Sequence, residues 1–215
     1  MLFRSAWRAA QPKPLRELKS GLEPEEAAEY MTVPAGFQVQ LAAGEPDVHQ
    51  PVAMTIDARG RVWVAEAYTY PIRAAKGEGR DRIIILEDTT GDGRLDQRKV
   101  FAEGLNLVSG LEVGFGGAWV GAAPYLLFIP DADGDDRADG EPRVLLDGFA
   151  YADTHETLNA FNWGPDGWLY GCQGVFTHSR VGKPGTPDNE RTPMNAAVWR
   201  RSEEHTSELQ SHLNL

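Results

Sequence analysis

The chain has 215 residues, with 32 acidic residues against 21 Lys and Arg, for a formal net charge of −11. This balance disfavours a nucleic-acid backbone or an anionic membrane surface as the main partner, whereas cations and neutral solutes fit better. The single cysteine, Cys172, excludes an internal disulfide framework and any site built from several thiolates of this chain. No apolar run approaches the length that a transmembrane helix requires.

Residues 1–33 are predicted to be an N-terminal extension with a short helix at 23–30, which leads into a first strand at Phe37–Leu41. The first twenty residues are basic but lack the apolar run of a signal peptide. Two alternatives follow: either the protein is cytoplasmic, or its true start lies upstream of Met1.

One hairpin pattern recurs along the chain, in which glycines or Pro-Asp-Gly mark the bend and a tryptophan lies close to it on the second strand. The three copies run over 51–64, 110–120 and 158–170. Trp63, Trp119 and Trp168 therefore recur about every 50 residues, the spacing of a structural repeat.

A second unit alternates with these hairpins and consists of an apolar run, an acidic loop and another apolar run. Its aspartates match between two copies at one constant offset: Asp88, Asp92 and Asp96 in the first loop, and Asp131, Asp135 and Asp139 in the second. Each copy predicts strand, acidic turn and strand, so that two hairpins make a four-stranded repeat.

Four-stranded units that recur every 40 to 50 residues are typical of β-propeller blades. We therefore expect an all-β fold in which residues 34–200 form about three blades and the start of a fourth, part of a domain of six to seven blades. Residues 201–215 include RSEEHTSELQS, which matches the translation of a sequencing-library adapter. We interpret them as a non-native tail; a natural polar helix is the alternative.

The second acidic loop is a candidate cation site. Asp131, Asp133, Asp135 and Asp139 occupy positions 1, 3, 5 and 9 of the loop, a spacing that gathers oxygen ligands around a hard cation such as Ca²⁺. The first loop, with Asp88, Asp92 and Asp96 as candidate ligands, has Thr90 at the third position and is the weaker candidate. The alternative for both is a solvated turn, because Asp and Gly are turn formers.

A cluster of polar residues in the third repeat is the candidate catalytic site. His155 follows Asp153, and a histidine whose tautomer a carboxylate fixes is a common general base. His178 and Arg180 lie further along the same repeat. A structural histidine is the alternative. For Tyr70 and its neighbours in WVAEAYTYP, packing between blades is favoured over ligand binding.

The strings VPAGFQVQLAAGEPDVHQPVAMTIDARGRVWVAEAYTYP, ILEDTTGDGRLDQRKVFAEGL and DTHETLNAFNWGPDGWLYGCQGVFTHS carry a family resemblance. Over about 34–200 the chain resembles the propeller domain labelled membrane-bound dehydrogenase in large proteins of planctomycete-type bacteria. That domain is similar to the soluble quinoprotein glucose/sorbosone dehydrogenases, in which a histidine removes the proton of a sugar hydroxyl while hydride passes to pyrroloquinoline quinone.

The resemblance implies that His155 is the base and that His178 and Arg180 contact the quinone or the substrate, with Ca²⁺ assisting. It also implies a periplasmic or secreted protein whose full length adds a c-type cytochrome domain with its haem. Two hypotheses result: a quinone-dependent dehydrogenase acting on a sugar or alcohol, or a non-catalytic propeller that binds a glycan or a protein partner and carries structural calcium loops. Lyase or lactonase chemistry is a third, less supported interpretation.

Overall fold

A computed structural model describes residues 21–202 and the backbone of 209–214. The helical part is short: helix α1 spans Pro24–Ala27 and a 3₁₀ turn follows at Ala28–Tyr30, within the stretch where the sequence predicts a helix. A second 3₁₀ turn lies at Asp188–Glu190. No helix in the described part of the chain is long and apolar enough to cross a membrane.

The remaining regular structure consists of β-strands. In chain order they are β1 (Pro51–Ile56), β2 (Val62–Glu66), β3 (Asp81–Glu87), β4 (Gln97–Leu105), β5 (Val108–Val113), β6 (Gly117–Ala122), β7 (Tyr125–Pro130), β8 (Arg143–Asp147), β9 (Asn159–Trp163), β10 (Leu169–Gln173), β11 (Ser179–Val181), β12 (Thr192–Met194), β13 (Ala197–Arg201) and β14 (Leu209–Asn214).

The strands form three antiparallel four-stranded sheets, which we call blades. Blade 1 has the order β1-β2-β3-β4, blade 2 the order β5-β6-β7-β8, and blade 3 the order β9-β10-β13-β14, with the β11–β12 hairpin inserted. The first strands of the blades are neighbours, because β1 lies beside β5 and β5 beside β9. This radial repetition of four-stranded sheets is the arrangement of a β-propeller and confirms the predicted fold class.

Two details differ from the sequence-based expectation. Ala197–Arg201, at the end of the predicted propeller span, is the third strand of blade 3 and does not begin a fourth blade. The segment Phe37–Leu41 is not a strand: Gln40 donates a hydrogen bond to the Asp92 carbonyl (2.7 Å), and Ala42 accepts one from Leu95 (2.9 Å). The segment runs along the first acidic loop, so its backbone joins no sheet.

β14 falls within residues 201–215, which we interpret as a non-native tail. Its backbone pairs with β13 from Ala197↔Asn214 to Arg201↔Leu209 and completes blade 3. The interpretation of residues 201–215 as a non-native tail stays a prediction, which the gene sequence would test.

The hydrophobic core lies between the blades. Trp63, Ile85 and Phe101 of blade 1 pack with Leu111 and Val120 of blade 2 in one cluster. Trp119 and Phe128 of blade 2 pack with Phe161 and Trp199 of blade 3 in the next. The central strands are buried on both faces, which explains the continuous apolar run of β3, whereas β1 leaves Val52, Met54 and Ile56 exposed.

Antiparallel strands place successive connections at alternate ends of the blades. The connections β1–β2, β3–β4, β5–β6 and β7–β8 therefore share one end of the blades, with residues 57–61, 88–96, 114–116 and 131–142. We call it the acidic end, because both acidic loops belong to it. The connections β2–β3, β4–β5, β6–β7 and β8–β9 share the other end, called the cavity end: 67–80, 106–107, 123–124 and 148–158. His155 and the acidic loops thus lie at opposite ends.

Candidate functional site

His155 lies in the connection between β8 and β9, at the cavity end. The Asp153 carboxylate accepts the backbone N–H of His155 (3.0 Å), an Asx turn that fixes the loop locally. The same carboxylate oxygen lies 3.3 Å from Nδ1 of His155. The imidazole is nevertheless 78% exposed.

Tyr70 contacts the opposite side of the same ring. Its hydroxyl is 2.7 Å from Nε2 of His155, and the two rings meet edge to face with centroids 5.6 Å apart. A proton on Nδ1, which a carboxylate beside that nitrogen favours, makes Nε2 the acceptor and the Tyr70 hydroxyl the donor. Asp153, His155 and Tyr70 therefore form a series of three contacting side chains. Tyr70 and His155 are 85 residues apart in the sequence.

Tyr70 and His155 border a cavity of about 490 Å³ along the innermost strands of all three blades. Its lining is mainly apolar and consists of Val52, Ala53, Met54, Tyr70, Leu107, Val108, Ser109, Leu111, Thr154, His155, Asn159, Ala160 and Phe161. The described residues of this lining include no Arg, Lys, Asp or Glu. An apolar cavity with a few convergent polar groups is typical of a small-molecule site.

His178 and Arg180 do not join this site. Neither residue lines the cavity. Arg180 belongs to β11 and donates both Nε and Nη2 to the Asp188 carbonyl (2.9 and 2.7 Å), with the Asp188 carboxylate 3.0 Å away. His178 is exposed at the start of that hairpin. The structure therefore places Arg180 in the inserted hairpin and His178 immediately before it, and neither lines the cavity that His155 borders.

Two other acidic side chains, Glu156 and Glu66, stabilise the fold. Glu156 accepts the backbone N–H of Phe176 (2.6 Å) and so ties the His155 loop to the segment after β10. Glu66 is fully buried and accepts hydrogen bonds from Arg98 (3.0 Å) and from the Tyr68 hydroxyl (3.3 Å). Burial, followed by the Glu66 charge, raises the pKa of Tyr68.

In the second acidic loop, ligand atoms of Asp131, Asp133 and Asp139 lie within 4.8 Å of one another. Oδ1 of Asp131 is buried and has no hydrogen-bond partner in the described part of the chain. Burial, together with the nearby carboxylates of Asp136 and Asp135, raises the pKa of Asp131. Asp135 is not part of the trio; its carboxylate accepts the backbone N–H of Arg137 (2.9 Å).

The first acidic loop is organised differently. Asp88 accepts the backbone N–H groups of Gly93 (2.7 Å) and Gly91 (2.6 Å), and these hydrogen bonds lower its pKa. Asp96 accepts both the hydroxyl and the N–H of Thr89, which lowers its pKa as well. Asp92 caps the N–H of Arg94 (2.8 Å). Among the described residues, these three aspartates do not converge as the second trio does.

Asp136 has a role that the sequence analysis missed. Its carboxylate is almost fully buried and meets Arg61 (2.6 Å), Arg59 (2.8 Å) and Lys99 (2.5 Å), all of blade 1. Burial opposes its ionisation, but the hydrogen bonds from Lys99 and Arg61 outweigh that effect and lower its pKa to about 2. Asp136 therefore fastens blade 2 to blade 1; the available sequence signal was an aspartate where the turn favours glycine.

The three blades and the histidine-centred cavity define an all-β domain of propeller type with a candidate small-molecule site at one end. Residues 23–213 match DUF7133, a domain of unknown function, and the chain belongs to that family. No curated protein matches the chain. A solved structure from Thermus thermophilus, provisionally described as an oxidoreductase (glucose dehydrogenase), is similar at 16% identity with a TM-score of 0.43. The similarity covers 72% of this chain and 45% of that structure.

Proposed function

We propose that the cavity binds a small hydroxylated molecule, a sugar or an alcohol, and that His155 accepts the proton of its hydroxyl in a dehydrogenase reaction. The observation that carries this proposal is the imidazole held by Asp153 at the edge of a cavity of substrate size. A histidine held in position by a carboxylate is an efficient general base at neutral pH. The resemblance in sequence supplies the substrate class.

The Asp153 carboxylate supports this chemistry in two ways. It favours a proton on Nδ1, which leaves Nε2, 2.7 Å from the Tyr70 hydroxyl, as an acceptor. It also offsets the positive charge that the imidazole gains when it takes up a proton.

Pyrroloquinoline quinone, the electron acceptor implied by the resemblance, does not fit the described cavity well. The quinone carries several carboxylates and requires cationic partners, whereas the described lining holds neither Arg nor Lys. Arg180, the expected contact, is paired with Asp188. We therefore assign no residue of this cavity to the quinone and derive no step through it.

We propose that the second acidic loop binds Ca²⁺ through Asp131, Asp133 and Asp139. The proposal is supported by three converging carboxylates and by a buried Asp131 oxygen that has no hydrogen-bond partner among the described residues, which a hard cation would satisfy. Because this loop lies at the acidic end, the ion would stabilise the blades and would not assist His155 directly. The expected calcium therefore has a structural role in our proposal.

The function is tested with the full-length protein, supplied with pyrroloquinoline quinone and Ca²⁺ and assayed with a panel of sugars and alcohols and a dye as electron acceptor. We expect dye reduction by at least one substrate, and a loss of about 10² to 10⁴ in kcat/KM for His155→Ala. His49→Ala is the matched control, because His49 lies before β1 and outside the cavity. Equal activity of the wild type and His155→Ala would refute the role of His155.

The non-catalytic alternative has one observation in its favour. Two large side chains at the cavity end are exposed, Tyr151 at 41% and Phe176 at 67%, and aromatic rings offer stacking surfaces to sugars. Saturable binding of a glycan, with no dye reduction under any cofactor condition, would favour this alternative. Loss of that binding in Phe176→Ala would place the glycan at the cavity end.

The resemblance also leads us to propose a periplasmic or secreted location and a c-type cytochrome domain as the electron-accepting partner in the full-length protein. Both are tested by the uninterrupted gene. A leader sequence upstream and a Cys-X-X-Cys-His motif downstream are the expected findings, and their absence from the complete gene would overturn them.

A further inference from the structure

The Tyr70 hydroxyl occupies the position at which a general base would receive its proton. Nε2 of His155 is 2.7 Å from this hydroxyl, and Nδ1 faces Asp153 at 3.3 Å. Both ring nitrogens therefore have partners within the protein. A hydroxyl ligand that reached Nε2 directly would first have to displace Tyr70.

Tyr70 is firmly placed and not easily displaced. Its ring packs against the hydrophobic clusters on both sides of blade 2. The preceding residue, Thr69, donates its backbone N–H (2.6 Å) and its hydroxyl (2.7 Å) to the fully buried Asp81 carboxylate. Asp81 also accepts the N–H of Val108 at the start of β5 (2.9 Å), so the β2–β3 connection is fastened to blade 2. His155, by contrast, is mostly exposed on its loop.

We infer that Tyr70 is the residue that contacts the hydroxyl of the ligand and that it relays the proton to His155. A phenolic oxygen that donates one hydrogen bond can still accept another. The ligand hydroxyl would donate to Oη of Tyr70, which in turn donates to Nε2. This inference rests on the proposed function, because the ligand is taken to be a sugar or an alcohol.

The proton relay is balanced in atoms and charge. The O–H bond of the ligand breaks as its proton bonds to Oη of Tyr70, while the original Tyr70 proton bonds to Nε2 of His155; the electron pair of the broken bond stays on the ligand oxygen as an alkoxide. Tyr70 is unchanged at the end, and His155 carries one additional proton beside the Asp153 carboxylate. The relay thus places the negative charge on the ligand oxygen in the cavity and the positive charge on the exposed imidazole.

The contact between Tyr70 and His155 is tested first without any ligand, in the full chain with ¹⁵N-labelled histidine. In the wild type we expect the tautomer protonated at Nδ1, with an Nε2 resonance typical of a hydrogen-bonded acceptor. Tyr70→Phe keeps the ring but removes the hydroxyl, so the Nε2 resonance should shift and the other tautomer should gain population. Tyr125→Phe is the control, because Tyr125 begins β7 and does not line the cavity. An unchanged resonance in Tyr70→Phe would overturn the inference whatever the activity.

The contact with the ligand is tested by titrating the same proteins with glucose and with the other sugars and alcohols of the panel. Loss of one neutral hydrogen bond predicts up to about tenfold weaker binding in Tyr70→Phe and unchanged binding in Tyr125→Phe. A wild type that binds none of these compounds overturns the proposed function and the relay together. A wild type that binds, with equal affinity in Tyr70→Phe, overturns the inference alone.

Turnover gives a further readout that a merely structural tyrosine would not change. The measurement is kcat of the wild type in mixtures of H₂O and D₂O. Because two protons move in the same step of the relay, kcat should depend on the deuterium fraction along a curve. Tyr70→Phe should lower kcat about 10- to 100-fold and give a linear dependence, because one proton then moves directly to His155. A linear dependence already in the wild type would refute the relay.

Discussion

Asp136 shows how one buried carboxylate can connect two repeats. It adopts a left-handed backbone conformation with φ of +69°, which aspartate tolerates better than most residues and which turns its side chain towards blade 1. There it meets Arg59, Arg61 and Lys99. Arg61 is itself almost fully buried and shares its second contact with Asp57 (2.8 Å). Removal of the Asp136 carboxylate would leave the buried Arg61 with Asp57 as its remaining ion-pair partner and would take away a carboxylate that three cations share.

We predict that Asp136→Asn lowers the free energy of unfolding by about 3 kcal/mol, because breaking a buried ion pair strands the remaining charge. Asparagine retains the size of the side chain and its tolerance of the left-handed conformation, so the effect reports the charge. Urea denaturation measures it in calcium-free buffer, with Glu141→Gln as an exposed control in the same loop. A change below about 0.5 kcal/mol, the usual range for surface substitutions, would contradict the role of Asp136.

The lowered pKa of Asp136 predicts a pH dependence of stability. In the folded protein the pKa is about 2 against the ordinary 3.8, so the folded state favours the ionised form. The resulting stabilisation, on the order of 2 kcal/mol, is complete above the ordinary pKa and is lost as the pH falls from there through about 2. Denaturation curves at about pH 6 and about pH 2.5, on either side of the ordinary pKa, should therefore differ less for Asp136→Asn than for the wild type. An equal loss in both proteins would contradict the prediction.

Among the elements, the inner strands β5 and β9 approach each other closely at Gly110. A Cβ atom added there would lie 2.9 Å from the ring of Phe161, a distance that real Cβ contacts do not show. Because the φ of Gly110 is not positive, the need for glycine at this position is one of space. The missing side chain allows blades 2 and 3 to pack around Phe161.

We predict that Gly110→Ala destabilises the fold by about 1 to 3 kcal/mol, the usual range for an overpacked core. Thermal unfolding measures the loss, and Gly21→Ala is the matched control because an added Cβ there meets no atom within 4 Å. If Phe161 is the obstacle, the double variant Gly110→Ala/Phe161→Leu should recover part of the stability. Further loss in the double variant would place the strain elsewhere.

The elements of the blades could largely be predicted from the sequence, because hairpin chemistry and alternation are local properties. The hairpin bends and both acidic loops lie between the strands where the sequence places them. Packing between residues that are distant in the sequence was harder to predict. Trp168, chosen as the third member of the tryptophan series, is only partly buried, and Trp199 of β13 fills the core of blade 3. The spacing of one motif did not indicate which tryptophan faces inward.

For the whole molecule, the sequence predicted the repeated architecture and selected His155, but it indicated only one of the two side chains that contact that histidine. Asp153 is two residues away and was visible in the motif. Tyr70 lies in another blade and meets His155 only because the cavity-end connections converge. His178 and Arg180 were close to His155 in sequence, yet neither lines the cavity, because the chain turns into the inserted hairpin at this point.

The calcium proposal concerns the cohesion of the whole molecule. We expect Ca²⁺ to bind the wild type in isothermal titration and to stabilise it by about 2.7 kcal/mol at about one hundred times the dissociation constant. Asp133→Asn should abolish this stabilisation, whereas Asp92→Asn, the matched change in the first loop, should retain it. The absence of binding heat with the folded wild type would refute the proposal, and loss of binding only in Asp92→Asn would assign the ion to the first loop.

The alternation of loops between the two ends has an evolutionary consequence. The contacts that hold blade 2 to blade 1 through Asp136 are made at one end, and the groups around His155 are supplied by connections at the other. Substitutions in 148–158 can therefore change the groups around the cavity while the Asp136 contacts between blades 1 and 2 are inherited unchanged. The connection 67–80 is more constrained, because Thr69 within it accepts the N–H of Leu107 at the entry to blade 2 (2.8 Å).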